Sequence, residues 1–299
     1  MNNIVSLDTD NYAAMAQAMG MAVDVTKSKT SGLARLKIQH TPTMGEKMVD
    51  GKAMKVEVIS GGKYKLDVPD GPNYFAGRVT VRPFVQRFMY KRFHTGSAPD
   101  GVKGKYQKTI MAENLNIDLK DNFGDFNCGK PAGYIEDFNS LPDSTKDIIR
   151  QVKRVRVMFG LITMHDATDE TGESVSVNDV PFIWEIDNRD AFKIVGQPIE
   201  RLAKLKRLPI QHFISMGTEE KKIPTGAVFY VPVTDMDVAK SISIVEKDQD
   251  IFADFMAWIQ NYNDYINSEW ESMAKEPSLP DEDIEVVDNF IDIEDGETQ

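Results

Sequence analysis

The stretch RVTVRPFVQRFMYKRFHTGSAPDGVKGKYQK, residues 78–108, decides how the rest of the chain is read. It holds eight cations (Arg78, Arg82, Arg87, Lys91, Arg92, Lys103, Lys105, Lys108) against one acid, Asp100, in a protein of formal net charge -12. Five rings, Phe84, Phe88, Tyr90, Phe93 and Tyr106, are threaded among them. In an extended strand successive side chains face opposite ways. One face then shows Arg82, Phe84, Gln86, Phe88, Tyr90 and Arg92. The other shows Val81, Val85, Met89 and Phe93, interrupted by Pro83, Arg87 and Lys91. Flat rings flanked by guanidinium groups suit a nucleic-acid strand with unstacked bases, because rings stack on bases and cations meet phosphates. A plainer reading makes Pro83 the first residue of a helix with Val85, Met89 and Phe93 as its buried stripe. The rings are then core and the cations a solvated face.

Composition narrows the choice. At 299 residues and 41 % hydrophobic, the chain is long enough for one large domain or two modest ones. It contains no apolar run near the ~20 residues that span a bilayer. The start, MNNIVSLDTDNY, lacks the basic and apolar regions of a signal peptide. A single cysteine, Cys128, excludes an internal disulfide and argues for a reducing compartment. A cytoplasmic protein is expected, in the host cytoplasm if viral. Charge is segregated: residues 276–299 hold ten acids and no Lys or Arg, whereas residues 1–245 sum to +3.

The pattern predicts a helical arm over residues 1–30, centred on Asp8 to Val25, which either packs on the body or mediates self-association. Alternating segments around Asp50–Gly51 and Asp70–Gly71 predict hairpins, so residues 33–93 read as an antiparallel meander. His94 to Lys105 reads as a flexible flap, Asp143 to Lys153 as a helix, and KRVRVMFGLITM as a long strand beginning with Lys153, Arg154 and Arg156. PFIWEID is a strand bearing Trp184; residues 189–209 are a helix or one broken at Gly196–Pro198. PIQHFISMG and GAVFYVPVT are two further strands. Phe252, Phe255, Met256, Ile259, Tyr262 and Ile266 recur at helical spacing within the segment 246–276. Beyond it, residues 277–299 are acidic and expected to be disordered.

Signatures of catalysis are mostly missing. GKPAG around Lys130 lacks the spacing and the Ser or Thr of a phosphate-cradling loop, and no two histidines stand at H-E-x-x-H spacing. Cys128 beside Lys130 is either an activated thiol or a small loop cysteine. Glu185 and Asp187 either hold magnesium in a nuclease or face water. What remains is a basic-aromatic β body followed by a segment, DEDIEVVDNFIDIEDGETQ, with Ile284, Val286, Val287, Phe290, Ile291 and Ile293 among its acids. A polyanion of this kind can occupy a positive groove when nucleic acid is absent.

The combination resembles the single-stranded DNA-binding proteins of tailed bacteriophages: an OB-type barrel with basic and aromatic side chains, a helix, then an acidic tail. The resemblance covers the architecture of residues 31–299. Unlike some members, the chain ends Thr298–Gln299 and not on an aromatic residue, and it has no Cys/His zinc set. The resemblance implies an α+β, mainly β body over residues 31–245, with no cofactor, no metal and no catalysis. It also implies DNA replication and recombination as the setting, with polymerase and helicase-primase met through the tail residues Asp281, Glu282, Asp283, Asp288, Phe290, Asp292, Glu294 and Asp295. On the body, Phe84, Phe88, Tyr90, Tyr106 and Trp184 are the expected stacking rings. Arg82, Lys91, Arg92, Lys105, Lys108, Arg154 and Arg156 are the expected phosphate contacts. The competing expectations are a structural or assembly protein of a virion and a metal-dependent DNA-processing enzyme.

Overall fold

Seventeen consecutive residues, Arg78–His94, form one strand, β6, and the other elements are arranged about it. A computed structural model of the chain describes residues 32–49, 52–94 and 104–274. The expected N-terminal arm, the Asp50–Gly51 turn, the tip of the flap and the acidic tail with its eight partner-binding residues lie outside the described residues.

Ahead of β6 come β1 (Ala34–Ile38), β2 (Thr43–Val49), β3 (Lys52–Ile59), β4 (Tyr64–Asp67) and β5 (Asn73–Ala76). After it come β7 (Lys105–Lys108), α1 (Asp143–Gln151), β8 (Lys153–His165), β9 (Val177–Ile186), α2 (Arg189–Lys204), β10 (Ile214–Lys222), β11 (Val228–Asp235) and α3 (Glu246–Ala274). The main sheet runs β11-β10-β6-β8-β9-β1-β4-β5, with β7 also on β6, while β2 and β3 form a separate ribbon. β1 pairs parallel with β9 and antiparallel with β4, so the sheet is mixed. The class is α+β, mostly strand.

Two expectations are corrected here. Residues 33–93 are not a simple meander, because β6 takes its partners from β8 and β10, which follow it far along the chain. The reason is apolar content: β6 and β8 are rich in Val, Met and Phe, and each buries both faces, which only a central strand can do. Second, the sheet is not closed; β11 and β5 are its ends. It does curl. The Tyr64 hydroxyl on β4 donates to the Gly217 carbonyl on β10 at 3.0 Å, the Thr218 hydroxyl donates to the Gly62 carbonyl, and the Tyr230 amide donates to His40 Nδ1 at 3.1 Å. Gly61 and Gly62 allow this approach, since a Cβ at Gly62 would sit 2.7 Å from the Tyr230 ring.

Two cores follow. Leu36, Tyr64, Val81, Met158, Phe182 and Trp184 fill the concave face, capped by Ala191 and Val195 of α2. Val85, Met89, Val157 and Phe159 pack on the other face under Phe255 and Ile259 of α3. α2 is continuous through Gly196 and Pro198, with the Asn188 side chain accepting from the amides of Asp190 and Ala191 at its start. Asp70, with φ 56°, turns β4 into β5 as the Asp-Gly signal predicts.

Candidate nucleic-acid interface

The predicted row of rings and cations on β6 is split by a β-bulge. Pro83 faces Gly160 and Val85 faces Phe159, leaving Phe84 as the extra residue. Gly160 permits the bulge: a Cβ there would overlap the Arg82 carbonyl oxygen and lie 3.1 Å from Pro83 Cα. One extra residue reverses the facing of every side chain beyond it. Arg82 and Phe84 therefore point to α3, whereas Gln86, Phe88, Tyr90 and Arg92 point to the concave side.

On the α3 side, Arg82 is an interior residue. Its guanidinium holds both oxygens of Asp248 at 2.7 Å and donates from Nε to the Ile210 carbonyl at 2.7 Å. Phe84 meets Phe255 edge-on with centroids 5.7 Å apart. The same face carries Lys91, Lys108 and Lys153, all taken by carboxylates. Asp187 receives Lys91 and Lys153 at 3.1 Å each, and Glu185 receives Lys108 at 3.1 Å. These lysines hold Asp187 below the ordinary carboxylate value although burial opposes it. The two acids weighed as magnesium ligands thus neutralise lysines.

The concave side is different. Arg156 lies sandwiched between Phe88 and Phe192, its Cζ 5.1 and 4.6 Å from the two ring centroids. Its Nε donates to the Phe192 carbonyl at 3.1 Å and its Nη1 to the Gln86 side chain. Burial pulls its pKa down, with Glu200 at 3.8 Å working the other way. The Tyr90 hydroxyl donates to the Leu115 carbonyl at 3.0 Å and accepts from Lys130 Nζ at 3.2 Å. Arg154 is the cross-strand partner of Tyr90 and leans toward Phe192; Arg92 holds Gln151 at 3.1 Å. Arg92, Lys130 and Arg154 have no carboxylate partner among the described residues. Burial and the Arg154 charge both lower the Lys130 pKa, the signature of cations gathered without a counterion.

Lys130 is set here by a turn, Asn127–Gly129, in which three successive residues have positive φ (54°, 55° and 83°). Asp121 pins the turn, accepting from the Cys128 amide at 3.1 Å and the Gln107 side chain at 2.9 Å. Burial pushes the Asp121 carboxyl up, and it pushes the fully buried Cys128 thiol well up too. The thiol is a packed one, not an activated one. At the end of the β6–β7 ribbon, Phe93 and Tyr106 meet edge-on at 5.2 Å and are about half exposed, with Lys105 exposed beside them.

The predicted set is therefore divided. Phe84, Tyr90 and Trp184 are core residues with no ring face open to a base, and Arg82 and Arg156 are spent on interior partners. Lys91 and Lys108 are ion-paired. Phe88 is half-buried against Arg156. Arg92, Arg154, Lys105 and Tyr106 remain accessible. Sequence reading missed Lys130, Phe192 and Phe93 as site residues. Phe93 stood in the quoted stretch; Lys130 lies in a Gly-rich turn whose fold depends on distant Asp121, so nothing local marked it.

No family model matches this chain, nor does a curated protein or a solved structure. Among the described residues, no helix is long and apolar enough to cross a membrane.

Proposed function

We propose that this protein binds single-stranded DNA without catalysis, protecting it during phage replication and recombination. The observation that carries the reading is the gathering of Arg92, Lys130 and Arg154 around Tyr90, without a carboxylate partner among the described residues, in a chain of net charge -12. Acids are plentiful, yet none among the described residues forms an ion pair with these three cations. Phosphates meet Arg92, Lys130, Arg154 and Lys105 and bases stack on the open edge of Phe88, while a strand passing round the end of the β6–β7 ribbon reaches the exposed Phe93–Tyr106 pair on its other face. In this reading the curled sheet is an OB-like barrel left open, with β4 leaning on β10 through side chains instead of a ladder. The acidic segment 276–299 competes with phosphate for the cations and serves replication proteins as a docking peptide.

The test is a fluorescence titration with a labelled oligonucleotide over a salt series. Binding weakens with salt, and each of Arg92→Ala, Lys130→Ala and Arg154→Ala lowers the log–log slope by about 0.7. Binding that is absent, or untouched by all three substitutions, sinks the reading. Magnesium-dependent cleavage would point to an enzyme instead.

A further inference from the structure

A groove opens on the α3 side of the sheet, opposite the face that carries Arg92 and Arg154. Its volume is about 370 Å³, and Phe84, Leu208, Ile210, Ile244 and Phe252 line it. Three of these are unusually open for their type: Leu208 is 57 % exposed, Phe252 44 % and Ile244 39 %. Apolar side chains grouped in a concavity and left to water mark a place where another apolar surface fits. In the chain just before Leu208, Arg201, Lys204 and Lys206 are exposed and have no carboxylate partner among the described residues. Asp248 and Gln249 of α3 also line it.

We propose that this groove receives the chain's own residues 284–293, IEVVDNFIDI, with Phe290 in the apolar floor and the acids toward Arg201, Lys204 and Lys206. Three observations select this occupant. Its chemistry suits the site: Ile284, Val287, Phe290 and Ile291 match the floor, and Glu285, Asp288 and Asp292 match the exposed cations just before Leu208. Its length suffices. From Phe252 to Ala274, α3 runs back about 33 Å. The sixteen residues from Ala274 to Phe290 span up to about 53 Å when extended. Its affinity need not be high, because a short tether supplies an effective concentration of about a millimolar. A nucleic acid fits the groove badly, since its floor is apolar.

The docking stands whether or not the function proposed above is right; its consequence for nucleic acid rests on that function. Seated on the α3 side, the acids are held away from Arg92, Lys130 and Arg154. Competition with phosphate then requires release from the groove.

A photoreactive benzophenone in place of the Phe290 ring, in the full chain, tests the proposal. Illumination followed by peptide mass spectrometry is expected to find cross-links at Leu208–Ile210 and Ile244–Phe252. An equal mixture of isotopically light and heavy protein is expected to show them within one molecule. Leu208→Asp is expected to remove the cross-links while leaving the circular dichroism unchanged; if it does not fold, the map of the otherwise unaltered chain decides. Cross-links at Arg92, Lys130 or Arg154, cross-links between copies, or none to protein would each overturn the proposal. Oligonucleotide titration of the same labelled protein reports separately on the function.

Discussion

Arg82 and Asp248 show how much one buried pair decides. The bidentate contact at 2.7 Å ties the middle of β6 to the first turn of α3, and the two side chains are almost wholly buried. Removing one partner strands a charge, which costs about 3–5 kcal/mol. Asp248→Ala is expected to show that loss in urea unfolding at neutral pH. The hydrogen bonds from Arg82 hold the Asp248 carboxyl below its ordinary value, against burial. A lowered acid stabilises above the unfolded-state value of about 3.9, and the contribution fades as pH falls through the folded-state value. The gap between Asp248→Ala and the unaltered protein should therefore narrow in acid; a gap that widened would contradict the assignment. Cys128, fully buried with its pKa raised, should resist thiol reagents until the protein unfolds. Rapid labelling of the native protein would show that the turn opens.

Two glycines separate a bulge from a helix face. At Gly160 an added Cβ meets the backbone of Arg82 and Pro83, which cannot move without disturbing the β6–β8 ladder. At Gly196 it meets the Arg156 guanidinium, with Cζ 2.7 Å away, which is the end of a flexible side chain. Overpacking costs about 1–3 kcal/mol where nothing gives. Alanine in place of glycine also gains about 1 kcal/mol within a helix. Gly160→Ala is thus expected to lower the melting temperature by several degrees, and Gly196→Ala to leave it nearly unchanged while displacing Arg156 from between Phe88 and Phe192. Equal effects would mean the bulge is not the tight element. α3 also acts as a substitute strand. Asn263 accepts from the Met111 amide at 2.7 Å and donates to its carbonyl at 3.0 Å, satisfying a backbone that has no ladder partner there. Asn263→Leu should cost about 1–3 kcal/mol, because it leaves two backbone groups unpaired.

Around the central strand, the pairing of charges differs between the two faces of the sheet. Lys91, Lys108 and Lys153 on the α3 side are neutralised by Asp187 and Glu185, while Arg92, Lys130 and Arg154 at the concave end have no carboxylate partner among the described residues. Substituting Lys91 or Lys108 is therefore expected to affect stability more than nucleic-acid affinity, and substituting Arg92 or Arg154 the reverse. Oligonucleotide titration and thermal melts on the same four proteins would separate the two, and a uniform effect would remove the case for a dedicated face.

The sequence by itself determined the mainly β class, the Asp70–Gly71 turn, the helices at residues 143, 189 and 246, and the central place of residues 78–94. These are local properties: side-chain periodicity, capping and turn chemistry act over a few residues. Only the tertiary structure decided which cations stay free. The bulge at Phe84 depends on Gly160, about eighty positions further along the chain, and it sends Arg82 inward and Arg92 outward. Lys130 reaches the same face through a turn held by Asp121 and Gln107. Alternation along a strand says that neighbours face opposite ways; which face is buried, and which charge has met its partner, is settled by residues brought together from far along the chain.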